Sequence, residues 1–483
     1  MSGPAPLDDS RLGQRFLRGS FYLGPGIWLT YVVNFALSLM LARILGPEAF
    51  GFYAFVFAVN EFLNIVTGFS IEVAVLRARE ESQELYDTAL VLSAGLGGVA
   101  LLGALVAAPL LVGQRGAEAG WFIVALGVFR LLTLLAGIHR VRLERQFRFG
   151  TVAGLNLASG ILPNVAAVLC AWYGAGVWSL LARDGATACL LLSLGYLLSG
   201  YRFHFGYRRA VVSEIMDFAK PMFVARMIET VSLRSDRIAV GGLLGNRALG
   251  LYDRSMFLAE TGQLAARPLG QLVLNLYSRL QDQPRRLARS YELVNFFLVR
   301  VMGAGAIVLV IFPEPTIRLL LGQDFLAAAP VLRWLGIYAW LLPVAENMKS
   351  ILLALGRVRF HARTRIIQMC VLVPGVLAAA LNGSVEGVAG VIVGSWLLWL
   401  GIAYTAIREL AGSLRSLFLV PALVATVTVC AIGGGARAGL LAGMPFWLLP
   451  FLPPLLFALL LALVERGRLL TELRFLRSQL RSG

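Results

Sequence analysis

The stretch ILGPEAFGFY at residues 44–53 returns as LLGNRALGLY at residues 243–252, an offset of 199 residues. The same offset pairs Glu61 with Glu260 and Asn64 with Gln263. A second block, at an offset of 211, pairs Arg148-Phe149 with Arg359-Phe360, Pro163 with Pro374, and Gly176-Val177 with Gly387-Val388. Two blocks that each keep one register indicate a chain built from two repeated halves.

The composition requires a membrane as the solvent. The chain has 483 residues, of which 58% are hydrophobic and 14% are charged, and its mean hydropathy is +0.77. One water-soluble core cannot bury so much apolar side chain. Apolar runs of about 20 residues recur along the chain, and that length crosses about 30 Å of hydrocarbon. Because only helices satisfy their own backbone there, we predict an all-α polytopic membrane protein.

The apolar runs predict about fourteen membrane-spanning helices. They lie near residues 20–44, 48–76, 87–112, 118–138, 150–172, 176–199, 214–243, 248–277, 291–312, 327–355, 361–381, 385–407, 416–435 and 443–464. Combined with the repeat, these spans predict two six-helix lobes in parallel orientation, followed by two extra C-terminal helices.

The predicted domain boundaries follow from the spans. They give a cytoplasmic N-terminus (1–19), an N-lobe with spans one to six (20–199), a cytoplasmic amphipathic linker (200–213), a C-lobe with spans seven to twelve (214–412), spans thirteen and fourteen (413–464) and a cytoplasmic amphipathic tail (465–483). The tail carries leucines at helical spacing between arginines, which is typical of a helix on the membrane surface.

The arginines indicate the orientation. Lys and Arg total 43 against 27 Asp and Glu, a net charge of +16, and arginine clusters mark every second loop. Short cytoplasmic loops retain such an excess of cations, so both termini are expected to be cytoplasmic. The cations are dispersed between apolar runs, without a basic face interleaved with aromatic residues, which argues against nucleic acid as a partner.

The seventh predicted span carries an unusual set of charges. They are Arg226, Glu229, Arg234, Asp236 and Arg237, which at about 100° per residue fall on one side of a helix. Charges inside a membrane usually face a partner or a water-filled cavity. Because three arginines outnumber two acids on this span, we expect positive charge to remain for an anionic ligand.

Spans eight and two repeat this pattern. Span eight has Asp253, Glu260 and Arg267 along one stripe, and span two has Glu61, Asn64 and Glu72. Because Glu61 and Glu260 are equivalent in the repeat, the two polar stripes are expected to face each other. Further candidates for buried charge are Arg130, Arg183 with Asp184, and Glu346 with Lys349. The alternative for every such pair is mutual neutralisation that only fixes helix register.

The sequence shows no cofactor or metal motif and no sign of an enzyme. The four cysteines lie in apolar runs, and His139, His204 and His361 lie in or beside arginine-rich loops, where we expect solvated or headgroup-facing side chains. No catalytic triad, acidic metal motif or phosphate-binding glycine loop is visible. A membrane glycan polymerase or ligase would be expected to carry a sizeable periplasmic loop. The longest predicted outer loop runs only from Pro313 to Leu326.

Three segments resemble a known family. They are LARILGPEAFGFYA at 41–54, Arg148-Phe149, and GAGVWSL at 174–180. They resemble the polysaccharide-transporter branch of the multidrug, oligosaccharidyl-lipid and polysaccharide exporter superfamily, and in particular the Wzx-type flippases of O-antigen and exopolysaccharide repeat units. The resemblance implies translocation of an undecaprenyl-pyrophosphate-linked oligosaccharide to the periplasmic leaflet by alternating access, with polysaccharide polymerase and chain-length machinery as possible partners.

The site residues are inferred from helix faces and not from a family motif. The residues expected to bind pyrophosphate are Arg226, Arg234, Arg237, Arg254 and Arg267. The residues expected to couple or gate transport are Glu61, Glu229, Asp236 and Glu260. A multidrug or cation antiporter and a peptidoglycan-precursor flippase are the alternatives within the superfamily, and a non-transporting scaffold is the alternative outside it.

Overall fold

The computed structural model is helical throughout the part of the chain that it describes, without strands there, which confirms the all-α prediction. It describes residues 9–78, 80–204, 206–408, 419–437, 444–445, 448–467 and 471. Side chains are described from residue 29 onward, except those of 66, 221–222, 225, 264–269 and 271. The predicted tail at 465–483 lies outside the described residues except for 465–467 and 471.

The described α-helices follow the predicted spans closely. They are α1 (Asp9–Leu63), α2 (Ile71–Arg77), α3 (Gln83–Arg115), α4 (Ala117–Arg145), α5 (Phe149–Trp172), α6 (Trp178–Ser199), α7 (Arg209–Leu244), α8 (Asn246–Arg279), α9 (Pro284–Ile311), α10 (Pro313–Leu320), α11 (Ala329–Ala354), α12 (Val358–Leu381), α13 (Val385–Ile407), α14 (Val420–Arg437) and α15 (Leu452–Val464).

Within the described residues, nine helices are long and apolar enough to cross a membrane. Helices α7 and α8, which carry most of the predicted site residues, are not among them, and the apolar parts of α14 and α15 are shorter. The chain is a multi-pass membrane protein, whereas the count of fourteen spans stays a prediction. The predicted outer loop after α9 is filled by α10 and by a 3-10 helix at Gln323–Ala328.

A glycine with positive φ forms the junction between two helices at the same position in both halves of the repeat. Gly46 interrupts α1 with φ 72° and ψ 176°, and Gly245 separates α7 from α8 with φ 91° and ψ 176°. Only glycine adopts this extended conformation at positive φ without strain. The offset of 199 in the sequence therefore corresponds to one structural register, and the stretch that defines the repeat is a sharp junction between two helices.

The second block of the repeat was placed two residues out of register. Phe147 and Gly356 both have positive φ and precede the arginines that begin α5 and α12, Arg148 and Arg357. Each arginine donates a hydrogen bond to a carbonyl in the last turn of the following span: Arg148 to Leu198 and Arg357 to Ala406. The two residues with positive φ and the two arginines are each 209 residues apart, so the sequence alignment of this block at 211 is wrong.

The chain divides into two compact units, unit 1 at Met1–Ile238 and unit 2 at Ala239–Gly483. In unit 1, α4 packs against α3 and α6, and α5 packs against α1 and α6. In unit 2, α11 packs against α8, α9 and α13, while α14 and α15 pack against α9. The predicted lobe boundaries are not tested by this division, because the boundary between the units falls inside α7.

A buried ion pair joins α9 to the end of α15 in unit 2. Arg300 donates from Nε and Nη2 to the two carboxylate oxygens of Glu465, at 2.7 and 2.6 Å. Its Nη1 donates to the carbonyl of Phe296 at 2.8 Å. This pair was not predicted from the sequence, although a lone arginine within an apolar run is itself a sign of a buried partner.

In unit 1 the segment between α6 and α7 is held against the start of α3 by Asp87. This fully buried carboxylate accepts hydrogen bonds from the Tyr201 hydroxyl and from the backbone N–H groups of His204 and Gly206. Burial and the bond to Asp87 raise the pKa of Tyr201, so its hydroxyl stays protonated and donates. The predicted linker at residues 200–213 is therefore hydrogen-bonded to α3 within unit 1.

One histidine differs from expectation. His139 was expected in a solvated position, but it is buried and its Nδ1 lies 2.9 Å from the Ser199 hydroxyl. The reason is that α4 continues to Arg145, which places His139 inside the packed helices and not in the following loop.

Candidate functional site

The second predicted span is broken within unit 1. Helix α1 ends at Leu63, a 3-10 helix covers Asn64–Thr67, and α2 begins at Ile71 after Ser70, which has φ 50° and ψ 46°. The segment from residue 65 to 68 is Ile-Val-Thr-Gly, and its β-branched residues and glycine favour helix least. Breaks in membrane helices expose backbone groups and occur where they line a polar site.

Arg130 of α4 holds this break. Its Nε and Nη2 donate to the Thr67 hydroxyl at 3.1 and 2.7 Å, and that hydroxyl donates to the Asn64 carbonyl at 2.7 Å. One guanidinium thereby stabilises the 3-10 turn through a single threonine. Arg130 was predicted as a buried charge, but Thr67 was not predicted as its partner.

The Asn64 side chain is buried beside Arg130 and its polar atoms lack partners. It is 4% exposed, and among the described residues neither its Oδ1 nor its Nδ2 has a hydrogen-bond partner. A buried amide without partners is costly, so such groups usually contact water or a ligand. The break therefore contains an unsatisfied donor and an unsatisfied acceptor.

Two acids and a second arginine lie around Arg130. Glu61 and Glu72 are close enough to interact electrostatically with it. On α7, Arg234 lies with its Nη2 3.9 Å from Glu61 Oε2 and its guanidinium 5.5 Å from the Phe57 ring centroid. The Arg234–Glu61 contact is a loose ion pair between α7 and α1, and both side chains are only partly buried.

Two glycines let charged side chains approach the break closely. At Gly68 an added Cβ would lie 3.1 Å from the Cβ of Arg226, so α7 passes directly against the turn. At Gly137 of α4 it would lie 1.9 Å from Glu72 Oε1. Glycine at each position leaves the space that the neighbouring side chain occupies.

The sequence predicted an excess of positive charge on α7. The contacts in the structure supply an acid for each of its three arginines. Arg226 pairs with Glu229 at 2.9 Å and Arg237 with Asp236 at 3.6 Å, and Glu61 of α1 supplies the third acid for Arg234. The count was wrong because it considered one helix alone. Arg226 and Glu229 remain 61% and 52% exposed, so this pair is accessible to a ligand.

Four of the predicted site residues lie at the break in unit 1, and others belong to unit 2. Arg226, Glu229, Arg234 and Glu61 surround the break with Arg130, whereas Arg237 also donates to the carbonyl of Leu233 on its own helix. In unit 2, Arg254 pairs with Asp253 at 2.7 Å, and Tyr338 donates to Glu260 at 3.5 Å. The side chain of Arg267 lies outside the described residues.

Two other pairs were predicted as buried charges; both ion pairs form, but the Lys349 and Glu346 side chains are 42% and 48% exposed, so the predicted burial of that pair is wrong. Arg183 lies 2.8 Å from Asp184, and both contact the hydroxyl of Tyr53, which joins α6 to α1. Lys349 lies 3.1 Å from Glu346 in unit 2. Within the described residues, no group of three or more His, Cys, Asp or Glu side chains could hold a metal ion.

The site in unit 1 is suited to an anion with several oxygen atoms. Arg130, Arg226 and Arg234 offer planar forks of N–H donors that match phosphate oxygens, and the Asn64 amide adds a further donor. The glutamates hold these guanidinium groups in place without a ligand. The stretch NIVTGFS at residues 64–70 was the signal for the break, since glycine and serine there follow three β-branched residues.

Comparison with known proteins gives a family and several relatives. Residues 40–330 match the family described as "Polysaccharide biosynthesis protein". The succinoglycan biosynthesis transport protein ExoT of Rhizobium meliloti (strain 1021) is 25% identical over 399 residues, covering 81% of this chain and 80% of the relative. The teichuronic acid biosynthesis protein TuaB of Bacillus subtilis (strain 168) is 22% identical over 390 residues, covering 77% and 79%.

A third relative is the lipopolysaccharide biosynthesis protein WzxC of Escherichia coli (strain K12), which is 21% identical over 381 residues, covering 74% of this chain and 73% of WzxC. Among solved structures, the inward closed conformation of the lipid II flippase MurJ matches 93% of this chain and 100% of its own, with a TM-score of 0.71 and 10% identity. An inward-facing multidrug transporter of the MATE family in the MOP superfamily matches 80% and 96%, with a TM-score of 0.60 and 14% identity. At these identities the structures show a shared fold alone.

Proposed function

This chain belongs to the family of polysaccharide biosynthesis proteins, and we propose that it is a flippase for an undecaprenyl-pyrophosphate-linked oligosaccharide. The lipid-linked sugar moves from the cytoplasmic to the periplasmic leaflet of a bacterial inner membrane by alternating access, and it serves the synthesis of O-antigen or exopolysaccharide. The names of the relatives support this proposal, because they concern succinoglycan transport, teichuronic acid and lipopolysaccharide. The parallel repeat supports a transporter and not an enzyme.

The observation that carries the proposal is the arginine cluster at the broken span. Arg226 and Arg234 of α7 lie with Arg130 around a turn that holds an unpartnered, buried Asn64 amide. A pyrophosphate brings two negative groups and several acceptor oxygens, which these donors bind in place of their glutamates. Hydrogen bonds to a charged ligand are each worth about 1.5–3 kcal/mol.

Pyrophosphate binding at Arg234 releases Glu61 from its partner. The pair is separated by 3.9 Å, so the ligand displaces a weak contact. Glu61 then keeps Arg130 as a nearby counter-charge, and a coupling cation takes the place of Arg234 beside it. Glu61, with Glu229 beside Arg226, is therefore the proposed coupling group.

The remaining predicted residues complete the proposal. Arg237, Arg254 and Arg267 add positive charge along the path of the pyrophosphate, while Asp236 and Glu260 act as gating groups. The lipid tail stays in the membrane, and both chain termini lie in the cytoplasm, in accordance with the arginine-rich loops. Polysaccharide polymerase and chain-length machinery receive the product on the periplasmic side.

The test is leaflet exchange of a fluorescent undecaprenyl-pyrophosphate oligosaccharide in proteoliposomes. Wild type is compared with Arg226→Ala and Arg234→Ala, each expected to lower the rate by about tenfold or more, because a charged hydrogen bond is lost. Lysine at either position should restore the rate only partly, since it keeps the charge but loses the fork.

The matched control is Arg289→Ala, which removes a partly exposed arginine whose Nη1 lies 3.5 Å from Glu292 on α9. It should exchange the probe at the wild-type rate. All variants are first checked for insertion and for melting temperature. Wild-type rates in both Arg226→Ala and Arg234→Ala would overturn the proposed site.

A further inference from the structure

A row of aromatic and charged side chains in unit 2 has no part in the site described above. The Trp396 ring of α13 lies with its centroid 6.0 Å from Tyr338 of α11 and 6.0 Å from Trp399. The Trp399 ring centroid lies 5.8 Å from that of His361 on α12, and the two rings are perpendicular. Three helices thus contribute rings to one continuous row.

Charged and amide groups accompany the rings. The Arg365 guanidinium lies 5.0 Å from the Trp396 ring centroid, and it donates to the Gln368 amide oxygen. His361 is close enough to interact electrostatically with Lys349, Arg365 and Glu346. Charged groups of α11 and α12 thus lie near the row of rings.

Some side chains of this row are buried in the protein core, and others are accessible to a ligand. Trp399 and Tyr338 are buried, with 1% and 4% exposure, and stabilise the packing of α11 against α13. Trp396 and Arg365 are only partly buried, and the Glu346 and Lys349 side chains are 48% and 42% exposed. The accessible members are thus one indole, two cations and one carboxylate.

This combination matches the two kinds of surface that a sugar ring presents. The C–H face of a pyranose packs against an aromatic ring, while its hydroxyl groups bind arginine, lysine and carboxylate side chains. Ligand sites in general combine aromatic walls with a few polar groups that fix orientation. An indole with a guanidinium over its ring is rigid, so it offers a surface that loses little freedom on binding.

We propose that Trp396, Arg365, Glu346 and Lys349 form a saccharide-binding subsite of unit 2. The inference rests on the proposed function, in which the transported lipid carries an oligosaccharide. Trp396 contacts the face of one sugar residue, and Arg365, Glu346 and Lys349 bind its hydroxyl groups. The subsite selects for glycan length and identity.

The test compares two lipids in the same proteoliposomes: undecaprenyl pyrophosphate with a single sugar, and undecaprenyl pyrophosphate with a complete oligosaccharide. Trp396→Ala should slow exchange of the oligosaccharide lipid by about tenfold, the loss expected for one well-packed aromatic contact. Exchange of the single-sugar lipid should remain within about twofold, since it lacks the additional sugar residues that the subsite binds. Trp396→Phe should restore part of the rate.

A direct binding measurement accompanies the transport test. Free oligosaccharide, without lipid, should change the intrinsic tryptophan fluorescence of wild type and of the control Trp121→Ala, which alters an indole that is 69% exposed in unit 1. The change should be absent in Trp396→Phe. Arg365→Gln should weaken binding about tenfold without altering the melting temperature.

The outcomes separate the subsite from the proposed function. If wild type exchanges neither lipid, the proposed function fails. If wild type exchanges both lipids and Trp396→Ala exchanges the oligosaccharide lipid equally well, the subsite is overturned. Equal slowing of both lipids by Trp396→Ala would also overturn it, because this is the result of a purely structural residue.

Discussion

Arg300 and Glu465 show how burial decides the value of an ion pair. Their side chains are only 6% and 7% exposed, so removing one partner leaves a charge without compensation. Arg289 and Glu292 on the same helix form a pair at 3.5 Å whose side chains are 38% and 25% exposed. Water screens such a pair, and pairs of this kind contribute about 0–1 kcal/mol.

Replacing Arg300 by Ala should therefore lower the free energy of unfolding by about 3–5 kcal/mol, whereas Arg289→Ala should change it by less than about 1 kcal/mol. The double variant Arg300→Met with Glu465→Leu should recover most of the loss, because it removes both charges together. Melting temperatures in detergent measure the effect. Equal melting temperatures for the two single variants would show that the Arg300 pair is not buried as described.

Gly137 gives a second prediction at this scale. A methyl group there would lie 1.9 Å from Glu72 Oε1, so Gly137→Ala should displace Glu72 and destabilise unit 1 by about 1–3 kcal/mol, the usual cost of overpacking. The control is Gly154→Ala in α5, where no atom lies within 4 Å and alanine should slightly stabilise the helix. Combining Gly137→Ala with Glu72→Ala should restore the melting temperature, and failure to do so would exclude Glu72 as the cause.

Residue pairs close in sequence could be predicted, and distant ones could not. The Arg183–Asp184 and Glu346–Lys349 pairs were identified because neighbouring charges on a membrane helix have few other partners. The Glu61–Arg234 and Arg300–Glu465 pairs join helices far apart in the chain. Nothing in the local pattern specifies which helices meet, and the charge count on α7 was wrong for that reason.

At the scale of the element, glycine junctions limit the helices in both halves. Gly46 and Gly245 combine positive φ with ψ near 176°, and no atom lies within 4 Å of an added Cβ at either position. Alanine would therefore be strained by the backbone and not by a clash. Gly46→Ala and Gly245→Ala should each lower the free energy of unfolding by about 1–3 kcal/mol.

The control for the junctions is Gly113→Ala inside α3, which also has open space around it but lies within regular helix. It should be neutral or stabilising. Asparagine should not rescue Gly46 or Gly245, since it favours the left-handed helical region and not an extended ψ. Junction variants as stable as Gly113→Ala would contradict the shared conformation.

The segment between α6 and α7 gives a prediction for hydrogen exchange. The backbone N–H groups of His204 and Gly206 both donate to Asp87, so Asp87→Ala should accelerate their exchange with solvent by about tenfold or more. Glu84→Ala is the control, because its partner Arg208 lies in the same segment but the pair is exposed. Equal exchange in both variants would show that Asp87 does not fasten the segment.

Helix positions were predictable, but the interior of one helix was not. Runs of apolar residues predicted the first and last residues of α3, α5, α12 and α13 to within a few positions, because length and hydropathy suffice to recognise a span. The break at Asn64–Thr67 lies inside such a run, where hydropathy is unaffected by a change of backbone. The second block of the repeat failed similarly, since the two residues with positive φ that set its register, Phe147 and Gly356, are 209 and not 211 residues apart.

At the scale of the whole molecule, the two halves share junctions but differ in their second helices. The first half is interrupted after Leu63, whereas the equivalent α8 is continuous from Asn246 to Arg279. The break at Asn64–Thr67 therefore has no counterpart in α8.

The central claim is that this chain moves an anionic lipid-linked saccharide and not a cationic drug, the cargo that the multidrug alternative requires. The decisive measurement follows both in one preparation of proteoliposomes: loss of inner-leaflet protection for fluorescent undecaprenyl-pyrophosphate oligosaccharide, and uptake of a labelled lipophilic cation. We predict that wild-type protein exposes the lipid in both leaflets, while the cation moves no faster than in protein-free vesicles. If the cation moves and the lipid in the inner leaflet stays fully protected, this chain does not move the lipid-linked saccharide.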